Sequence, residues 1–81
     1  MAKDLLDLHG FKGEDVESAV DNFLVQIGQS NLKRARIMTG KGTGTVQKIT
    51  ISYLKKAGYP WAYEKLPSGK DNTGIIVLFL D

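Results

Sequence analysis

Thr39-Gly40-Lys41-Gly42-Thr43-Gly44 is the stretch on which the reading of this chain turns. It follows the apolar pair Ile37-Met38 and leads into a pattern of helical period, so it reads as a strand-to-helix turn. Its glycines let the backbone take positive φ and approach another group closely. The helix behind it aims its first N–H groups and its positive dipole end back at the loop. A strand, a glycine-rich turn and a helix N-terminus together form an arrangement suited to holding a phosphate. Lys41 adds a cation at the same place.

Working back from the loop, Lys33 to Met38 supplies the strand that feeds it, from about Arg34. Before that, Val16, Ala19, Val20, Phe23, Leu24 and Ile27 recur at helical spacing, which predicts a helix from Glu14 to Gly28. Glu14, Asp15 and Glu17 fall in its first turn, where carboxylates complement the dipole. Asp4 to His9 is short, apolar and ends at Gly10, as a strand would; extended, it places Asp7 and His9 on one face. Working forward, a second helix is expected from about Thr45 to Ala57, with Val46, Ile49, Tyr53, Leu54 and Ala57 on one side and Gly58 as its stop. Trp61 to Leu66 alternates as a third strand. Pro67 to Asn72 is a polar turn, and Ile75 to Leu80 is continuously apolar, as in a strand buried on both faces.

The order is therefore βαβαββ across residues 1–81, one α/β domain with no linker or repeat. Two right-handed crossovers and a closing antiparallel hairpin predict a two-layer sandwich, a four-stranded mixed sheet with two helices. The core should draw on the first helix stripe, on Val46, Ile49 and Leu54, and on the last strand. No apolar stripe is left over for self-association, so a monomer is expected. No run approaches transmembrane length and there is no cysteine, which together suggest a cytoplasmic protein without membrane contact.

Charge is unevenly spread. Residues 1–32 carry two cations and six acids, whereas residues 33–81 carry nine cations and three acids. Between Lys33 and Lys56 there are seven cations and no acid. Such asymmetry points to a polyanionic partner, although a solvated lysine face explains charge alone equally well. Arg34, Arg36, Lys41 and Lys48 cluster around the loop in sequence, which favours a phosphate of a nucleic-acid backbone. The loop lacks the spacing of a Walker A motif and fits a dinucleotide fingerprint poorly, so no nucleotide cofactor is expected.

Leu6-Asp7-Leu8-His9-Gly10, followed about thirty residues later by Thr39-Gly40-Lys41-Gly42, resembles the Smr (small MutS-related) domain, found alone or at the C-terminus of MutS2 proteins. The first family motif, Leu-Asp-Leu-His-Gly, is complete, and the second is present in its Thr-Gly-x-Gly form. Lys70-Asp71-Asn72-Thr73-Gly74 departs from the more glycine-rich approach many members make to the last strand. The resemblance implies a fold related to the C-terminal domain of bacterial initiation factor three. It also implies nucleic-acid binding, with nicking endonuclease activity in several members. Some members act on DNA and others are associated with RNA, so the resemblance does not settle the substrate; DNA is taken here as favoured over RNA. Non-catalytic binding to nucleic acid or ribosomes is the alternative.

Beside such a loop, Asp7 and His9 suit a hydrolytic pair: Asp7 orients the imidazole, and His9 moves a proton at a bridging or leaving oxygen. Lys41 and the backbone N–H groups from Gly40 through Gly42 to Gly44 would stabilise phosphorane-like charge, and Thr39 could donate a hydroxyl. A lone Asp-x-His would more simply be a strand end with a capped turn; the neighbouring loop shifts the balance. One His and scattered carboxylates make no dedicated zinc site. Asp7 could help hold Mg²⁺ or Mn²⁺ through water, so metal dependence stays open. Tyr59, Trp61 and Tyr63 are expected in the core, leaving Phe11, in the turn after His9, as the candidate for stacking on a base.

Overall fold

The computed structural model describes residues 4–40 and 44–80. Six elements follow the expected order: β1 (Leu5–Asp7), α1 (Gly13–Gly28), β2 (Arg34–Met38), α2 (Thr45–Ala57), β3 (Trp61–Lys65) and β4 (Asp71–Phe79). They form one four-stranded sheet in the order β1-β2-β4-β3. β1 and β2 are parallel, with Leu6 opposite Ile37 and Asp7 opposite Met38. β4 lies between β2 and β3 and is antiparallel to both. The α/β sandwich with a mixed sheet is therefore as expected. The second crossover, β2–α2–β3, spans the place that β4 later fills.

Both crossovers step across the sheet in the same direction, and right-handed connections then put both helices on one face. Side-chain alternation follows from that. Ala35 and Ile37 of β2 and Ile76 and Leu78 of β4 are buried beneath the helices. Their neighbours Ile75, Val77 and Phe79 point the other way and are only half-buried. The last strand is thus covered on one face, not on two as its apolar run suggests. It also starts earlier than expected, at Asp71, because a bulge between Tyr63 and Glu64 lets residues 71–72 pair with β3.

α1 delivers its stripe as read: Val16, Val20, Phe23, Leu24 and Ile27 are buried. In α2 the buried residues are Thr50 and Leu54, with Val46, Ile49 and Tyr53 half-buried at the margin. Thr50 tolerates full burial because its hydroxyl donates to the Val46 carbonyl at 2.8 Å, one turn earlier. The two helices are also tied outside the core, where the Tyr53 hydroxyl donates to Asp21 Oδ1. Gly58 closes α2 at φ 79°. Trp61 and Tyr63 meet edge to face, centroids 5.2 Å apart, packed against the core as expected.

Candidate functional site

β1 and β2 end side by side, and each strand is followed by a helix that starts at the same edge of the sheet. The Leu8 N–H donates to the Met38 carbonyl at 2.8 Å, so pairing persists one residue past β1. Leu8 itself is buried and anchors the strand end, while Asp7 and His9 on either side of it are exposed. The chain then turns through Gly10 at φ 81°, and the Phe11 N–H closes the turn onto the Leu8 carbonyl. Phe11 stands exposed beside this turn.

Asp7 Oδ1 lies 2.7 Å from His9 Nδ1 and also accepts the His9 backbone N–H at 3.0 Å. These two bonds, the side-chain bond first, hold the Asp7 carboxyl below its ordinary value of 3.8. An ionised carboxylate can only accept, so Nδ1 carries the proton in the neutral ring. Nε2 is then left with its lone pair at the solvent side. The ring is fixed in tautomer and in direction, although nearly three-quarters of its side-chain surface (73%) is exposed. Exposed ion pairs of this kind contribute little to stability. Their geometry is of more use to chemistry than to the fold.

The glycine turn enters directly beside the imidazole. Gly40 has φ 77°, and a Cβ built there would lie 3.8 Å from His9 Cβ. Its placement is buttressed from β4: the N–H groups of Thr39 and Gly40 both donate to the Gly74 carbonyl, at 2.9 and 3.3 Å. Gln47 of α2 reaches the Thr73 carbonyl at 2.6 Å, and the Gly74 N–H donates to Asn72 Oδ1 at 3.1 Å. The approach to β4 that departs from the family pattern thus serves as the loop's support. Sequence reading gave Gln47 and Asn72 no role; Asn two residues before a glycine was the available signal.

At the far side of the turn, Gly44 is the N-cap of α2 at φ 84° and has no side chain to offer the helix. The first turn of α2 holds no acid, whereas that of α1 holds Glu14 and Asp15. The positive end of α2 therefore lacks the carboxylate compensation that α1 provides for itself. The two helix starts are adjacent, since a Cβ on Gly13 would meet Ile49 Cδ1 at 3.2 Å and Thr45 Cγ2 at 3.7 Å.

The structure brings Asp7, His9 and Gly40 together, sets Phe11 in the turn after His9 and Gly44 at the start of α2, and corrects the setting of others. Thr39 is buried, 6% exposed, and its hydroxyl faces the carbonyls of Gly74 and Gly40 at 3.5 and 3.4 Å, turned inward rather than toward a ligand. Arg34 and Arg36 are not at the loop but on the helix-free face of the sheet, because β2 alternates. Arg34 stacks over the Phe79 ring at 4.7 Å, and Arg36 reaches Glu64 at 3.3 Å. Lys48 is exposed one turn into α2. Lys41 and Gly42 lie outside the described residues. Among the described residues no three His, Cys, Asp or Glu side chains converge on a metal position, so the protein groups offer a divalent ion no closed cage. Asp7 is the carboxylate at the site, with Oδ1 already committed to His9.

A paired Asp–His at the end of a parallel strand, beside a glycine turn on a βαβαββ frame, defines the class. The chain belongs to the Smr domain family, whose model matches residues 6–81. It is 43% identical over 51 residues to endonuclease MutS2 of Staphylococcus carnosus, 63% of this chain and 6% of that protein. Against endonuclease MutS2 of Lactococcus lactis subsp. cremoris it is 31% identical over 75 residues, 93% of this chain and 10% of the relative. This chain thus spans a tenth or less of the length of these relatives. Its fold matches YdaL, a stand-alone small MutS-related protein from Escherichia coli, with TM-score 0.83 and 19% identity over 99% of this chain and 66% of that one. It also matches the Smr domain of Thermus thermophilus MutS2, with TM-score 0.79 and 24% identity over 96% of this chain and 98% of that one. Among the described residues no helix is long and apolar enough to cross a membrane.

Proposed function

We propose that this domain binds nucleic acid and nicks its phosphodiester backbone, with DNA the favoured substrate. The observation that carries the reading is the 2.7 Å Asp7–His9 bond set beside the Gly40 turn. The endonuclease names of the MutS2 relatives support it. A backbone phosphate seated at the start of α2 would meet oriented N–H groups, the helix dipole and the Lys41 cation. His9 Nε2 then takes the proton of a water attacking phosphorus, and the leaving oxygen gains a proton from solvent. Asp7 holds the imidazole in the tautomer that leaves Nε2 able to accept. Thr39 acts through its burial, as a positioning residue for Gly40. Phe11, exposed in the turn after His9, is the side chain we assign to stacking on a base next to the reacting phosphate. If Mg²⁺ or Mn²⁺ participates, Asp7 and substrate phosphates are the groups to hold it, and it would supply charge neutralisation.

The test is a nicking assay on supercoiled plasmid and on a structured RNA, with and without Mg²⁺ or Mn²⁺, beside His9→Ala. Cleavage by the wild type and not by the variant, with binding retained in both, is expected. Equal cleavage by both, or none by either, refutes the catalytic role. If binding remains and falls with Lys41→Ala, the domain is a non-catalytic nucleic-acid or ribosome-binding module.

A further inference from the structure

β3 and β4 run on past the sheet edge at which the candidate site lies. The last register pair of β2 with β4 is Met38 with Ile75, whereas β3 still pairs Glu64 with Asn72 and Lys65 with Asp71. The glycine turn meets the strand at the Gly74 carbonyl. Beyond it, residues 71–73 carry β4 about 10 Å further at the usual rise, and residues 66–70 close a two-stranded ribbon. Residues 65–71 are exposed throughout. The ribbon is nevertheless braced. Lys65 Nζ crosses to Asp71 Oδ1 at 2.6 Å, the Leu66 N–H donates to the Lys70 carbonyl at 2.8 Å, and the Gly69 N–H donates to the Leu66 carbonyl at 2.9 Å. At its base Gln47 of α2 donates to the Thr73 carbonyl, and the bulge between Tyr63 and Glu64 sets its angle to the sheet.

We propose that this hairpin enters the major groove of duplex DNA beside the nicking corner, with Leu66 against base edges and Lys70 on a backbone phosphate. The inference rests on the function proposed above and names the form of its substrate. The tip suits that partner. Leu66 is 38% exposed, and of the three large apolar side chains that stand exposed among the described residues, it and Phe11 lie at this edge. The sheet order sets the glycine turn between them. Residues 65–71 hold Lys65, Lys70 and Asp71, one cation in excess. Lys65 is bound to Asp71 and the neighbouring Glu64 to Arg36, which leaves Lys70 without a carboxylate partner among the described residues. The major groove of B-DNA, about 12 Å wide, admits a two-stranded ribbon and offers thymine methyl groups to an apolar side chain. Across the sheet the ribbon's midline lies about 7 Å from the end of β2. That is close to half the groove width, the offset at which a phosphate bordering the groove meets the glycine turn. Double-helical RNA has a deep, narrow major groove closed to side chains, so the same ribbon discriminates between the two duplexes. An unpaired strand offers it no groove.

The test is fluorescence anisotropy of the wild type with labelled duplexes of one sequence, one DNA and one RNA, beside the single DNA strand. Tighter binding of the DNA duplex than of either other probe is expected. Lys70→Gln should weaken that binding about 8-fold at about 0.1 M salt and reduce the slope of log affinity against log salt by about 0.9, one phosphate contact. Leu66→Ser should weaken DNA-duplex binding several-fold, with the salt slope and single-strand binding unchanged. A trimmed chain, in which an Asn-Gly turn replaces residues 66–70 and joins the paired Lys65 and Asp71, should bind the DNA duplex no better than the RNA duplex. The two point variants alter exposed side chains and carry the test by themselves if the trimmed chain does not fold. Wild-type affinity in both point variants would overturn the proposal, as would equal losses on the DNA and RNA duplexes. Tighter wild-type binding of the RNA duplex or of the single strand would overturn it too. Histidine-dependent nicking that survives any of those results leaves the function intact and removes only the hairpin's part in it. Failure of the wild type to bind any of the three probes sinks both.

Discussion

Asp7→Asn is the sharpest probe of the site, because it removes one charge and almost no volume. In the wild type Asp7 Oδ1 accepts two bonds, from the His9 backbone N–H at 3.0 Å and from Nδ1 at 2.7 Å. An asparagine can keep the first through its carbonyl oxygen, so the strand end should hold its shape. The same oxygen can also go on accepting Nδ1–H, so the ring keeps its tautomer and what it loses is the negative charge beside it. Nε2 stays able to accept a proton from water, but the imidazolium that forms then has no carboxylate beside it. The expected loss is a part of the general-base contribution, about 10²-fold in single-turnover nicking. The chain has one histidine, so ¹⁵N spectra of the imidazole report this tautomer without ambiguity. The neutral ring should show protonated Nδ1 in the wild type and in the variant alike. The pH dependence follows the same bond. Because the folded Asp7 carboxyl is held below its ordinary 3.8, mainly by the His9 side chain, the contact is complete above the usual carboxylate range. It is lost only as pH falls through that lower folded value. A wild-type ring protonated at Nε2, or an Asp7→Asn variant nicking within a few-fold of wild type, would refute the reasoning.

Three further outcomes concern the frame that holds the site. Leu54→Ala, at a fully buried position, should cost about 3 kcal/mol in urea unfolding, whereas Val25→Ala, at a side chain 55% exposed, should stay within about 0.5 kcal/mol; similar values for both would contradict the core assignment. Gly40→Ala and Gly44→Ala should each cost about 1–2 kcal/mol from the left-handed backbone alone, since the added Cβ meets only an ordinary 3.8 Å contact at Gly40 and nothing within 4 Å at Gly44. The Tyr53 hydroxyl, whose bond to Asp21 raises its pKa above the ordinary 10.0, should give its share of stability below that value and lose it as pH rises through the higher folded one. Tyr53→Phe should remove that alkaline step from a pH series of thermal unfolding.

How much of this was legible in the sequence depended on whether a pattern was local. The α1 stripe and the span of α2 needed only helical period and glycine stops, and both fall where the residues put them. Asp7 and His9 were paired by their two-residue spacing, and the structure joins them just past the end of β1, where Asp7 accepts both the ring and the backbone N–H of His9. Thr50 escaped a count of apolar residues. Val46, Thr50 and Leu54 lie four apart, but the hydroxyl is neutralised by a bond that no pattern of hydrophobicity reveals. The continuous apolar run of β4 pointed to a strand buried on both faces, and the outcome was set elsewhere, by the shared direction of the two crossovers. Arg34 and Arg36 are near the loop in number and away from it in space for an equally non-local reason. Thr39, one residue past β2, lost its solvent-facing role to the closing of β4 over the loop through Gly74.

The location of the site follows from the same topology that misled those readings. In a parallel pair joined by helices, the carboxyl ends of the strands and the amino ends of the helices meet at one edge. Here that edge collects the exposed Asp7–His9 pair from the first unit and the glycine turn with its uncompensated helix start from the second. Each contribution is weak alone: an exposed ion pair stabilises little, and a helix dipole is screened by water. Their use lies in being held in register by a third element, β4, which enters between the two units' strands and grips the turn with one carbonyl. It follows that Gly74 should be less replaceable than the exposed residues around it. Gly74 is buried where Thr39 and Gly40 donate to it. Gly74→Val should therefore depress nicking together with stability, while Thr73→Val, whose carbonyl still receives Gln47, should leave both near wild type. A Gly74→Val protein that nicks normally would show that the turn holds its shape without β4.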